Sequence, residues 1–231
     1  MNIKYIIEAM IGMNSITGND LDMLTEHGAN KNNVTSESDE TLFFSYLDNN
    51  DNTALKALLE RHREDLTFFI FGFVRNMEDA EDLMMDAFAV AASGTAKFSG
   101  KSSFKTWLFA IGRNLALKHL RKRRFLFISL NDERTAGEAS GAGQETAAWE
   151  GLPETEILKD ERNRILYEAM NSINHEYSQV LHLTYFEEMS NDEVAVVMKK
   201  NKKQVYNLIS RGRQALKEVL QNKYGFDENV L

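Results

Sequence analysis

The chain has no cysteine, one proline (Pro153) and 13 glycines in 231 residues. Without cysteine there can be no disulfide framework and no thiolate metal centre, which fits a reducing compartment. So few helix breakers leave long helices as the natural local structure. No apolar run approaches the ~18 residues that a membrane span needs. Near the start, Ile3, Ile6, Ile7, Met10 and Ile11 are interrupted by Glu8 and preceded only by Lys4, which makes a poor secretory leader. The composition predicts an all-α, cytoplasmic protein with no membrane insertion. Acid is also missing locally. No Asp or Glu occurs between Gly94 and Leu130, or between Glu193 and Glu218, although the whole chain carries a net charge of -8.

What fills these acid-free stretches is basic and aromatic. The first holds Lys97, Lys101, Lys105, Arg113, Lys118, Arg121, Lys122, Arg123 and Arg124, interleaved with Phe98, Phe104, Trp107, Phe109, Phe125 and Phe127. Cations hold phosphates and aromatic faces stack on unpaired bases, so the pattern points to a nucleic acid. The second holds Lys199, Lys200, Lys202, Lys203, Arg211, Arg213 and Lys217. Two basic elements imply two contacts with one polyanion. The overall acidity predicts weak non-specific binding, hence binding that is conditional or assisted.

Hydrophobic periodicity divides the chain. Residues 1–38 read as an appendage, with a short amphipathic helix expected over Asn2–Met13 and a polar tether over 14–38. A helical period begins at Asp39 with Leu42, Phe43, Tyr46 and Leu47, continues through Leu55, Leu58, Leu59, His62, Leu66, Phe69, Ile70 and Phe73, and predicts a third helix over Met77–Ala92. A Ser/Gly loop follows, then a basic helix over Phe104–Arg124 whose Leu108, Ile111, Leu115 and Leu117 face the core while Arg113, Lys118 and Arg121 face out. Trp107 belongs with the core more than with a stacking surface. Residues 125–153 break the period and read as an acidic, flexible linker. Helices resume over Ile157–Ile173 and Glu176–Phe186. Ser190-Asn191-Asp192-Glu193 is a capping box opening a short helix that stops near Lys199, and Asn201 caps the next. Two capped helices this close make a helix-turn-helix. Its second helix would enter the major groove with Lys202, Lys203, Gln204, Tyr206, Asn207 and Ser210, while Arg211 and Arg213 hold phosphates.

These motifs resemble region two and region four of the extracytoplasmic-function sigma factors of bacterial RNA polymerase. Asp79-Ala80-Glu81-Asp82-Leu83-Met84-Met85-Asp86-Ala87-Phe88 matches the acidic helix of region two, and Phe98-Ser99-Gly100-Lys101-Ser102-Ser103-Phe104-Lys105-Thr106-Trp107-Leu108 its loop and the start of its basic helix. Asn174 through Leu216 resembles region four. The likeness runs over roughly residues 39–222. It implies an N-terminal extension (1–38), region two (39–124), a linker (125–153) threading toward the polymerase active site, region four (154–222) and a short tail (223–231). The fold expected is two small helical domains, the second ending in the helix-turn-helix.

The resemblance implies partners and roles. Core RNA polymerase would be docked through Asp79, Asp82, Leu83, Met85, Asp86 and Phe88. The minus-ten element, duplex and melted non-template strand, would be held by Lys97, Phe98, Ser99, Lys101, Ser102, Lys105, Arg113, Asn114, Lys118 and Arg121 to Arg124, with Asn114 where the family reads a base and Phe98 as a pocket wall. The minus-thirty-five element would be read by Lys202, Lys203, Gln204, Tyr206, Asn207, Ser210, Arg211 and Arg213. An anti-sigma factor is a further partner the family admits, though no residue here identifies one. The chain departs from the family pattern at Met85, where Gln is usual, at Lys199, where a turn Gly is usual, at Lys200, at Ile173-Asn174 and at Tyr206-Asn207-Leu208.

Two other readings stand beside this one. A free-standing helix-turn-helix regulator would explain the C-terminal part but not the block from Phe98 to Arg124. An enzyme would need a constellation that is missing: there is no phosphate loop or nucleophile elbow, and neither the pair His175 and His182 nor the cluster Glu78, Asp79, Glu81 and Asp82 has ligand spacing with a third partner. Both groups read as solvated surface, and His27, His62 and His119 suggest no chemistry. The expectation is no catalysis, no cofactor and no metal.

Overall fold

The computed structural model describes residues 37–131 and 161–225, with side chains described over 37–124 and 164–225. The expected extension up to residue 36, most of the expected linker and the end of the tail lie outside the described residues. Among those described, every regular element is a helix: α1 (Asp39–Asn49), α2 (Asn52–Val74), α3 (Met77–Ala92) and α4 (Phe104–Asn131), then α5 (Glu161–Ser172), α6 (His175–Leu181), a π-helical turn (His182–Phe186), α7 (Asn191–Met198) and α8 (Lys202–Tyr224).

Each helix of the first bundle starts on a side chain that accepts an otherwise unpaired N–H. Ser38 accepts from Thr41, Asp51 from Thr53 and Ala54, and Asn76 from Asp79. Ser103 does the same for α4, accepting from the Thr106 amide at 3.2 Å. Glu40 reaches across from α1, its Oε1 accepting the Phe104 amide at 2.8 Å. Asp39 clamps α1 to α2, with Oδ1 2.7 Å from Arg61 Nη1 and Oδ2 2.6 Å from His62 Nε2. Burial pushes the Asp39 carboxyl up, but His62 and Arg61 outweigh it and hold the group below its ordinary value. His62, which suggested no chemistry in sequence, is therefore a buried structural partner.

Within this bundle α2 packs between its neighbours, with Leu58, Leu66 and Ile70 fully buried against Phe104, Leu108 and Phe109 of α4 and Ala80, Ala87 and Ala91 of α3. Gly112 permits the close approach of α4 to α2, since a Cβ there would lie 2.9 Å from Leu66 Cδ1. The basic helix does not stop at Arg124: it continues to Asn131, so the first part of the expected linker is helical.

In the second bundle α8 is the longest helix and packs on α6 and α5. Val205, Ile209, Gly212, Leu216 and Leu220 form its buried stripe, at the spacing of one helical face. Tyr224 Oη donates to Glu168 Oε2 at 2.8 Å and ties the end of α8 to α5. The helix expected over Glu176–Phe186 begins one residue earlier, on its Asn174 cap, and widens into the π turn before Glu187. The capping box at Ser190 and Glu193 forms as the sequence predicts. A second, unexpected box forms at Asn201 and Gln204.

The two bundles pack on one another. Phe68 meets Tyr167 at 6.3 Å between ring centroids, Phe69 meets His182 at 5.6 Å, and Phe73 meets His175 edge-on at 4.7 Å. Arg75 Nη2 donates to the Asn171 carbonyl at 2.6 Å. This corrects the reading of His175 and His182 as solvated surface. Both are covered because the aromatic side of α2 has to be buried somewhere, and α5, α6 and the π turn are what it meets.

Gly212 sets how close α8 lies to α6, since a Cβ there would sit 3.2 Å from Tyr177 Cβ and 3.3 Å from Leu181 Cγ. Gly212→Val should lower stability by about 1–3 kcal/mol through overpacking. Thermal unfolding followed by circular dichroism checks this, and an unchanged Tm would refute the close-packing assignment.

Candidate nucleic-acid interface

The loop between α3 and α4 turns on Gly94 and Gly100, both at φ 67, where a side chain would be strained. Lys97, Ser99 and Lys101 project from it into solvent, and Ser102 is half-buried. Phe98 is half-buried in an aromatic cluster, 5.7 Å from Phe43, 5.7 Å from Phe44 and 5.1 Å from Trp107 between centroids. Phe44 is exposed, so this cluster presents ring surface to solvent beside the cationic loop. Trp107 is half-buried and packs on Phe43, Phe98 and Phe104, which agrees with its reading as packing rather than stacking surface. Further along α4, Asn114, Lys118, Arg121, Lys122, Arg123 and Arg124 are exposed, and Leu115 and Leu117 are half-buried.

Two members of the expected minus-ten set are not free. Arg113, expected to face out, is buried at 8% exposure, and its Nε donates to Gln179 Oε1 at 3.1 Å. Burial pulls its guanidinium below the ordinary value, with the charge of Glu176 opposing. The helical period on α4 did put Arg113 outside its own bundle, but α6 occupies that outside. Lys105 Nζ stands 2.9 Å from Glu187 Oε2 and donates to the Glu187 carbonyl at 3.2 Å.

Sequence reasoning missed the groups that hold these residues. Glu193 Oε1 accepts from the Ser103 hydroxyl at 3.0 Å and the Thr106 hydroxyl at 2.9 Å, while Oε2 closes its own capping box. Burial pushes the Glu193 carboxyl up, but the Ser190 backbone and hydroxyl, then Thr106 and Ser103, hold it below its ordinary value. Glu187 is buried and lies 3.0 Å from His182 Nε2. Burial again raises its carboxyl and is outweighed by His182 and Lys105, so the net displacement is downward. No spacing rule connects Lys105 to Glu187 or Thr106 to Glu193 across some eighty residues of chain.

The acidic helix α3 shows its charges to water. Asp82, Met85 and Asp86 are exposed, Met85 at 52%. Asp79 is half-buried, with Oδ2 3.5 Å from His119 Nε2. Leu83 and Phe88, expected on the docking face, lie in the core at 7% and 5% exposure. They support the face from behind, because the same helix must bury its apolar stripe in its own bundle.

On α8, Lys202, Lys203, Gln204, Tyr206, Asn207, Ser210 and Arg211 are exposed and Arg213 is half-buried. Gln204 Oε1 accepts the Asn201 amide at 2.9 Å, so the expected base reader doubles as a cap. Lys202 Nζ pairs with Asp192 at 2.8 Å, an exposed contact that solvent weakens. Lys199 adopts the left-handed turn (φ 53) that the missing glycine would have made without strain. Lys200 Nζ sits 2.9 Å from Glu176 Oε1. Among the described residues no three His, Asp or Glu gather to hold a metal ion, and no helix is long and apolar enough to cross a membrane.

Comparison with known proteins identifies the family. Residues 58–125 match the model of Sigma-70 region 2 and residues 163–216 that of Sigma-70, region 4, together just over half of the chain. The chain is 26% identical over 196 residues to the RNA polymerase sigma-H factor of Pseudomonas aeruginosa, covering 81% of this chain and 96% of the relative. It is 24% identical over 172 residues to the ECF RNA polymerase sigma factor SigW of Bacillus subtilis, covering 74% and 91%. In fold it is similar to CnrH, solved in complex with the cytosolic domain of CnrY (TM-score 0.56, 21% identity, covering 81% of this chain and 99% of that one). It is also similar to the sigma factor RpoE solved with the anti-sigma factor NepR from Bartonella quintana (TM-score 0.53, 21% identity, covering 73% and 97%).

The interface between the bundles carries its own pH dependence. Burial, then the charges of Arg75 and Arg113, push His175 down to about 4, with Glu176 opposing, and its Nε2 is buried without a hydrogen-bond partner. The folded chain holds a neutral ring, while the unfolded chain takes up a proton near pH 6.5. Below that pH the unfolded state binds more protons, so stability falls as pH drops, and the loss levels off near pH 4. Between pH 7.5 and 5 this one group should cost about 2 kcal/mol. Thermal unfolding of wild type and His175→Gln at both pH values checks it: the variant should lose less stability on acidification, and equal losses would count against the assignment.

Proposed function

Because this chain belongs to the extracytoplasmic-function sigma factors of bacterial RNA polymerase, we propose the following division of labour among its surfaces. Region two spans α1 to α4. It docks on core polymerase through the exposed acidic and apolar face of α3 formed by Asp82, Met85 and Asp86. It engages the minus-ten element through the loop around Phe98 and the cationic side of α4, where Asn114 reads a base and Lys118 and Arg121 to Arg124 hold phosphates. Region four spans α5 to α8 and places the N-terminal half of α8 in the major groove of the minus-thirty-five element. The chemistry of RNA synthesis stays with polymerase, and this chain supplies promoter choice and strand opening.

One observation carries the reading. The acidic docking face, the cationic face of α4 and the basic face of α8 are three separate exposed surfaces on one all-helical chain. A stand-alone regulator would need only the last. Phosphate contacts predict steep salt dependence, with log affinity falling by ~0.9 per contact for each decade of salt. The anti-sigma complex of the structurally similar RpoE supports a protein partner of that kind here as well. Action beside polymerase supports a cytoplasmic location.

Asp86→Arg should weaken core binding by roughly tenfold or more, since it reverses a charge on the docking face without entering the core. A pull-down with purified core polymerase reads this, and undiminished capture would remove Asp86 from the face. Asn114→Ala should leave core binding intact and change the minus-ten preference by about 1–3 kcal/mol at one base position. Run-off transcription from a promoter library measures it, and an equal loss on every promoter would contradict a base-reading role.

A further inference from the structure

Helix α1 carries more apolar surface than its own bundle uses. Leu42 and Phe43 are buried, and Phe43 fills the core beneath the α3–α4 loop, with ring centroids 4.9 Å from Phe104, 5.3 Å from Trp107 and 5.7 Å from Phe98. Phe44, the next residue, stays 41% exposed, its ring 5.7 Å from that of Phe98 at an angle of 42°. Leu47, one turn further on, is 45% exposed. With Phe43 in place, an aromatic ring at Phe44 is surplus to packing, and its surroundings say what it suits. Lys97 and Lys101 flank Phe98 in the loop and are exposed, and the loop holds no acid. On α1, Asp39 is paired with Arg61 and His62, and Glu40 accepts the Phe104 amide. Asp48, a turn beyond Phe44, is exposed. Charge therefore favours a phosphate chain on the side of Lys97 and Lys101 and opposes one on the side of Asp48. A strand laid along the loop in this way turns its bases toward Phe44.

We propose that Phe44 is a second base-stacking residue of the minus-ten face, taking the unpaired base next to the one held at Phe98. It comes from α1, whereas the loop and α4 supply the rest of that face. The two rings lie 5.7 Å apart between centroids, further than the ~3.4 Å between successive bases along one strand of a duplex. Neighbouring bases that take one ring each must leave their own stack, so the pair of rings selects a melted strand over a duplex. An aromatic face accepts every base, so Phe44 adds affinity for the open strand and little sequence preference. This rests on the sigma-factor reading above and deepens it: Asn114 chooses the sequence, and Phe44 helps to hold the strands apart. A protein partner docked on the same patch would use Leu47 as much as Phe44, whereas a base needs the ring.

The test uses the full-length chain, core polymerase and a promoter found by run-off transcription, prepared with a mismatched bubble over its minus-ten element. Holoenzyme with Phe44→Ala should bind this bubble about tenfold more weakly than wild type, with capture of core unchanged. Phe44→Trp should bind at least as tightly as wild type, and Leu47→Ala should equal wild type. Abasic sites placed one at a time along the non-template strand then locate the base. At a single position the abasic template should erase the difference between wild type and Phe44→Ala, whereas a variant that merely folded poorly would keep its deficit on every template.

Three results would each overturn the proposal while leaving the sigma-factor reading intact. They are equal affinity of wild type and Phe44→Ala for the bubble, a deficit that no abasic site erases, and an equal loss of core capture by Phe44→Ala and Leu47→Ala. The last would make the patch a protein-docking face. Absence of any core-dependent transcript from the wild-type chain would sink the sigma-factor reading, and this proposal with it.

Discussion

The structure depends on α2 having two sides to bury. From Leu66 to Val74 the helix reads Leu-Thr-Phe-Phe-Ile-Phe-Gly-Phe-Val, too apolar all round for a surface helix. One side, with Leu66 and Ile70, closes the core of the first bundle against α4. Its flank, with Phe68, Phe69 and Phe73, lies at the edge of that core, where Phe69 also meets Phe109 of α4 at 5.2 Å between ring centroids. Tyr167, His182 and His175 of the second bundle cover it. That constraint brings α6 and α7 over α4, and with them the carboxylates that occupy Lys105, Ser103 and Thr106.

The apolar contacts and the polar ones do different work in this join. The aromatic rings exclude water and supply the attraction. The buried carboxylates supply register, because Glu187 and Glu193 are each held by more than one donor from fixed positions. Removing one donor leaves a charge poorly satisfied in a place with little water, which makes the arrangement specific as well as stable.

Much of the architecture was legible in the sequence. The helical periods of α1 to α3 and of α8, the Ser190 capping box and the Asn201 cap are local, and their boundaries match the structure closely. The exposed polar side chains of α8 and the cations at Arg121 to Arg124 also lie where periodicity puts them. The misreadings share one cause. The pattern of one helix or one bundle alone puts Arg113 in solvent, His175 and His182 on the surface, and Leu83 and Phe88 on a docking face. The length of α4 beyond Arg124 was missed because no breaker ends it and its period is weak.

What the chain determined by itself was therefore the set of helices, their caps, the placement of charge and the family, since each follows from residues within a few turns of one another. Only the tertiary structure decided which charged groups are available. Lys105 and Lys101 are equivalent as residue types four positions apart, yet one is paired with Glu187 and the other is exposed. The difference comes from contacts some eighty residues away along the chain. Those contacts arise from burying the second face of α2, a long-range requirement that no local pattern encodes.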